Sequence, residues 1–298
     1  MGYGEMAKVF WRDPAFTEDV FNAANYVGGV APVNGDTFVA NSGNSPIGAH
    51  DSSSIAFEAF VVIRDDGAGN GYSGKIGVDQ NNTLIIDANT VSLGITNTHC
   101  FLTIQNGGAA FDLKIYDGQP ATTGQESTTG LHVKTTDVAN IEMFGGVAFI
   151  DDSSVLGTNF ISGGTLWVGS SVTGTIVFDV WSIGILHIDS AFTTGRCLLG
   201  GTVFVTGSAS SVTTYTNTGT TFWLAGGTLG TLRCEGGTMD ESANQYGLVV
   251  TNSTFLAGTN TFKDTVGGTT FTNDPVERGG DNKFPPGTSL SSQGGIPV

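Results

Sequence analysis

Along most of this chain apolar and polar residues alternate in short bursts. Residues 165–168 read Thr-Leu-Trp-Val, 185–188 Ile-Leu-His-Ile and 202–206 Thr-Val-Phe-Val-Thr. Alternation with period two puts every second side chain on one face of a strand. Strand-like bursts recur at 55–63, 83–87, 101–105, 147–150, 165–168, 176–180, 185–188, 202–206, 220–224 and 247–251. Gly, Asn, Asp and Ser separate them, residues that tolerate tight bends. One segment has a different rhythm. Asp13 before Pro14 suits an N-cap and first helical position, Phe16, Val20 and Phe21 fall on one face, and Glu18 and Asp19 lie near the positive end of the dipole. This predicts one short helix over 14–24, placed to cap an open end of the β body.

Paired glycines stand at or near the start of a strand or turn at Gly145, Gly163, Gly200, Gly226, Gly236 and Gly267. Their uneven spacing marks an imperfect repeat and argues against a propeller or a left-handed hexapeptide helix. It suits an all-β, right-handed parallel β-helix with turns of variable length. Coils of roughly 20 residues, on the order of ten of them stacked about 4.8 Å apart, would bury Val, Ile, Leu and Phe and leave Thr, Ser and Asn in outer ladders. The competing architecture is a β-sandwich or jelly roll, also built of many short strands. Three regions follow: a docking and capping segment over 1–35, a β-helix body over 36–273, and a Pro/Gly-rich arm over 274–298 with Pro275, Pro285, Pro286 and Pro297.

Composition supports folding but narrows the partners. Hydrophobic residues make up 39%, with 19 Phe, enough to exclude a disordered chain. The formal charge of -16 repels phosphate backbones and anionic membranes, which argues against nucleic-acid and membrane roles. Cys100, Cys197 and Cys234 are odd in number and far apart, so they indicate neither a disulfide framework nor a zinc site and read as small buried hydrophobes. The first ten residues lack a basic stretch followed by an apolar one, and no apolar run is long enough to span a bilayer.

Several constellations suggest chemistry and lose it on inspection. The run Gly69 to Lys75 satisfies a glycine-rich phosphate loop in part, but Ile76 follows the Lys and strand, not helix, continues. It reads as a glycine hairpin. Asp65, Asp66 and Asn70 offer oxygens to calcium, without the spacing of a known calcium loop. Asp151, Asp152, Asp179, Asp189, Glu235, Asp240 and Glu241, with Trp167, Trp181 and Trp223, supply the ingredients of a glycoside hydrolase, yet spacing singles out no pair. His50, His99, His132 and His187 show no metal-binding spacing; His99 and Cys100 are adjacent and face apart on a strand, while His187 and Asp189 share a face. No catalytic residue, cofactor or metal is expected.

The stretch Asn25-Tyr26-Val27-Gly28-Gly29-Val30-Ala31-Pro32-Val33-Asn34-Gly35-Asp36 before the strand-like Thr37-Phe38-Val39 resembles the opening motif of β-helical passenger domains and of some phage surface proteins, with Tyr26 in place of the usual Trp. The remainder resembles, in texture, phage fibres, tailspikes and capsid cement proteins. That resemblance implies a non-enzymatic virion structural protein on the particle surface, a capsid decoration or fibre protein, assembled as a homotrimer on a major capsid protein or another virion protein. Alternatives are a tailspike-type polysaccharide depolymerase and a glycan-binding adhesin. In the first reading Phe10, Trp11, Phe16, Phe21, Pro285 and Pro286 are the interface candidates.

Overall fold

The computed structural model describes residues 7–12, 17–63, 71–94, 100–117, 131–151, 153–206, 210–263 and 268–288. The protein is all-β, with parallel strands wound into a β-solenoid of about 11 turns. Residues 1–157 and 158–298 form two compact units.

In the first unit one column of parallel strands runs through Lys8–Phe10, Thr37–Ala40, Asp51–Val62, Leu84–Gly94, Phe111–Asp117 and Ala139–Met143. Register brings Phe38, Phe60, Val91, Leu113 and Ile141 into one inward ladder, and every one of them is buried. The Phe38 and Phe60 rings lie face to face at 4.5 Å. A second column stacks Cys100–Gln105, Leu131–Thr135 and Val147–Ile150, with Leu102, Val133 and Ile150 pointing inward. Each such side chain contributes about 1.5–3 kcal/mol by leaving water, set against the entropy of ordering the chain.

The expected helix over 14–24 does not form across its described part. Residues 17–22 make bends and a turn, and the only helical piece there is a single 3-10 turn, Ala23–Asn25. The reason is side-chain competition for the backbone. Asp19 Oδ1 accepts from Phe21 N–H and Asn22 Oδ1 from Ala24 N–H, while the buried Asn25 accepts from Thr17 N–H and donates to Asp19 O. These bonds satisfy locally the groups a helix would have paired. The opening motif then turns the chain into the solenoid. Gly28, Gly29 and Gly35 take positive φ, Asp36 Oδ2 caps Val33 N–H at 2.9 Å, and the Tyr26 hydroxyl donates to Val20 O at 2.6 Å.

The second unit repeats the pattern in three columns. One runs Val177–Val180, Thr194–Cys197, Ser210–Asn217, Gly227–Asp240 and Leu248–Thr261. Another runs Thr165–Val168, Ile185–Ile188, Thr202–Val205 and Thr220–Trp223, then the later halves of the two long strands, and ends on Asp281–Lys283. The third stacks 210–212, 227–229 and 248–250, with Thr270–Phe271 pairing last. Val276–Glu277 and Asp281–Lys283 pair with Leu248–Thr261, so 276–283, within the segment read as an arm, continues the coil. Cys197, Asn217 and Cys234 share one inward position on successive coils, and Asn217 separates the two thiols. All three cysteines are free and buried.

One corner of this unit is a column of glycines. A Cβ built on Gly219 would meet Gly201 O at 2.6 Å, on Gly237 would meet Gly219 O at 1.9 Å, on Gly258 would meet Gly237 O at 2.5 Å, and on Gly280 would meet Gly258 O at 2.7 Å. Coils stacked at strand spacing leave no room for a side chain aimed along the stack. Thr202, Thr220, Thr238 and Thr259, each directly after one of these glycines or Gly201, form an outer ladder beside the column.

Candidate functional site

Many outward positions of the coils carry rings. In the second unit Trp167, His187, Phe204 and Phe222 stack on successive coils, with centroids 3.6, 4.4 and 5.0 Å apart and planes within 13° of parallel. In the first unit His132 is stacked between Phe101 and Phe149 at 5.2 and 4.8 Å. Rings packed face to face spend their faces on one another. The faces inside each ladder are thereby closed to a sugar ring. Burial lowers the His187 pKa to about 4 from the usual 6.5, so the ring is neutral at neutral pH.

The described histidines and carboxylates are engaged in separate places. His132 Nδ1 lies 3.0 Å from Asp151 Oδ1, an orienting pair of the kind catalysis uses, but His132 is buried and Nε2 has no partner to activate. Asp179 takes a bidentate pair from Arg196, Glu235 pairs with Arg233, and Asp240 accepts from the amide and hydroxyl of Ser242. Glu241 is fully buried. A depression of about 560 Å³ is lined in part by Asp19, Phe21, His50 and Val78. His50 Nε2 there accepts from Val20 N–H at 3.1 Å, which fixes it as an acceptor and takes its lone pair out of use as a base. Burial lowers the His50 pKa against the opposing pull of Asp19, Asp51 and Glu18. Among the described residues no group of three or more His, Cys, Asp or Glu is placed to hold a metal.

What stands out is an uncharged apolar edge on the turns of the second unit. Residues 181–184 and 198–201 form tight turns, closed by Gly184 N–H to Trp181 O at 3.0 Å and by Gly201 N–H to Leu198 O at 2.9 Å. The turns are stacked, since Ser182 N–H donates to Leu199 O at 3.1 Å. Ser182 and Gly200 take positive φ, and that bend pushes the neighbouring side chains outward. Trp181 is 41% exposed, Ile183 77% and Leu199 82%. Phe160 extends the patch, its ring 5.2 Å from that of Trp181. The charged residues nearest in sequence, Asp179 and Arg196, pair with each other.

No protein-family model, curated protein or solved structure matches this chain.

Of the interface candidates drawn from the sequence, Phe10, Trp11 and Phe21 belong to the first unit and Pro285 and Pro286 to the second. Trp11 is 1% exposed and sits in the first unit's core, edge-on to Tyr26 at 5.6 Å and 6.1 Å from Phe38. Phe10 is half-buried on the strand Lys8–Phe10, and Phe21 is 41% exposed beside His50. Pro285 is half-buried and Pro286 exposed. Phe16 lies outside the described residues, as do Asp65, Asp66 and Asn70 of the calcium candidate, Asp152 and His99. Of the three central tryptophans only Trp181 is exposed; Trp223 is buried, its indole N–H donating to Ala225 O at 3.0 Å. The sequence does hold a signal for the patch: Trp-Ser-Ile-Gly at 181–184 and Leu-Leu-Gly-Gly at 198–201 put large apolar residues into glycine turns, where a strand pattern predicts polar ones.

Proposed function

We propose that this protein is a non-enzymatic structural component of a virus particle, a capsid decoration or fibre protein of the bacteriophage kind, which self-associates as a homotrimer through the apolar turn edge formed by Trp181, Ile183 and Leu199. The observation that carries the reading is that edge. Scattered exposed hydrophobes are ordinary on a protein surface, but large ones gathered on stacked turns are the mark of an interaction site. The formal charge of -16 makes self-association costly wherever like charges meet, and an uncharged edge avoids that cost. The solenoid itself favours a scaffold, since each coil is held by its neighbours and the outer ladders are occupied by side chains bonded or stacked to one another. The resemblance of the segment from Asn25 to Val39 to the opening of phage surface proteins, with its turns formed as that motif requires, supports the particle surface as the location.

Co-sedimentation with purified phage particles tests the proposal, with a polysaccharide panel assayed in parallel for new reducing ends. Binding to shells or tails that weakens when Ile183 and Leu199 are changed to Asp supports it. Cleavage of a polysaccharide that disappears on changing one carboxylate would replace it with the depolymerase reading.

A further inference from the structure

Glu241, Asn244 and Lys263 meet where the turn after the strand Gly227–Asp240 reaches the end of the strand Leu248–Thr261. Glu241 is 0% exposed and Asn244 1%. Glu241 Oε2 accepts from Lys263 N–H at 2.6 Å and from the Thr269 hydroxyl at 2.6 Å, while Oε1 is buried without a partner. The Asn244 side chain is pinned at both ends: Nδ2 donates to Ala225 O at 2.8 Å, and Oδ1 accepts from Tyr246 N–H at 2.9 Å. The Trp223 indole donates to the same Ala225 carbonyl, which brings an aromatic ring beside the amide. Lys263 Nζ reaches back to Asn244 and donates to its main-chain carbonyl.

A scaffold needs none of this. A buried acid with an orphaned oxygen is a standing cost of about 1–3 kcal/mol and calls for an explanation. Burial raises the Glu241 pKa, opposed by its hydrogen bonds to Lys263 N–H, Thr269 and Asn244 and by the Lys263 charge, so the neutral acid is favoured beyond the ordinary carboxylate range. A neutral acid beside a lysine and an amide can carry protons between their nitrogen and oxygen atoms.

We propose that Lys263 and Asn244 are a covalent modification site, at which Lys263 Nζ attacks Asn244 Cγ and Glu241 shuttles the protons, leaving an intramolecular isopeptide bond. The Nζ–Cγ bond forms and the Cγ–Nδ2 bond breaks. Glu241 first protonates the amide oxygen as the amine adds, then takes a proton from Nζ and passes it to Nδ2, which leaves as ammonia while the proton on the former amide oxygen returns to the carboxylate. The carboxyl ends in its starting state, and no oxidant, metal or energy source is required. The bond would close a ring between positions 19 apart and tie the final coils of the second unit together. Terminal repeats, with a neighbour on one side only, are where a solenoid opens first.

Trypsin digestion of the full-length protein, read by mass spectrometry, tests this. Cleavage after Arg233, Lys263 and Arg278 gives peptides 234–263 and 264–278 from an unlinked chain. The linked chain resists cleavage at Lys263 and gives 234–278, lighter by one ammonia than its composition requires. Both short peptides at full mass from folded protein would overturn the proposal. So would ammonia loss confined to 234–263 with Lys263 still cleaved, which is cyclisation of Asn244 onto its own backbone. In Glu241→Gln, with the fold checked by circular dichroism, the site reverts to the two short peptides; a persistent link there would overturn the role given to Glu241.

Discussion

Gly237 and Gly236 are neighbours in sequence and opposites in environment, which makes them a sensitive test of how the coils stack. Gly237 has φ +66°, and a Cβ there would stand 1.9 Å from Gly219 O and 2.7 Å from Thr218 O. A non-glycine residue in left-handed backbone costs about 1–2 kcal/mol. Relieving the overlap means moving one coil away from the next, a strain of about 1–3 kcal/mol by comparison with overpacked cores. Gly237→Ala is therefore expected to lose about 3 kcal/mol. At about 2–4 °C per kcal/mol for a chain of this size class, the melting temperature falls by roughly 10 °C. Gly236 has open space around its Cβ position and no left-handed φ, so Gly236→Ala stays within about 0.5 kcal/mol of the parent. Thermal unfolding followed by circular dichroism at matched concentration and pH reads both. Equal melting temperatures for the two variants would refute the glycine column as the determinant of coil spacing at this corner.

Three further outcomes follow from the packing and the ladders. Phe255 is fully buried among Phe262, Phe271 and Phe284, with ring centroids at 5.5, 6.4 and 5.1 Å, so Phe255→Ala destabilises by about 3–5 kcal/mol in denaturant titration. His187 has its pKa lowered by burial to about 4 from 6.5, so the folded protein binds fewer protons than the unfolded chain between these values. The stability this confers is complete above about pH 6.5 and is lost as pH falls toward 4; His187→Phe, which keeps a stacked ring, flattens that slope in melts across the interval. Tyr26→Phe strips Val20 O of its 2.6 Å donor inside the opening turn and costs about 1–2 kcal/mol by chemical denaturation, with little change in the native spectrum.

The strands were legible because period-two alternation is a local property. Val203 and Val205 point inward and Phe204 outward, as the text of 202–206 requires, and each burst read from the sequence falls on or overlaps a described strand. The helix expected over 14–24 does not form over 17–24 because Thr17, Asp19, Asn22 and Asn25, which look neutral to an amphipathic pattern, each divert a backbone group in three dimensions. Stacking partners were not legible, because they depend on how many residues each turn consumes. The glycine column was half visible: Gly-Thr at 201, 219, 237 and 258 recurs at intervals that vary by a few residues, and Gly-Gly pairing hid it by giving weight to both members. Glu241 was visible only as one of several central carboxylates. Its burial follows from its coil position at the end of the strand Gly227–Asp240, which composition does not encode.

The central claim is that the turn edge of Trp181, Ile183 and Leu199 holds copies of this protein together, and static light scattering of the purified full-length protein at neutral pH tests it most directly. The parent is expected to show the mass of a trimer and the Ile183→Asp, Leu199→Asp double variant that of a monomer, with melting unchanged when both are monomeric on dilution. A parent that scatters as a monomer at every concentration, or a double variant that keeps the trimer mass, would contradict it.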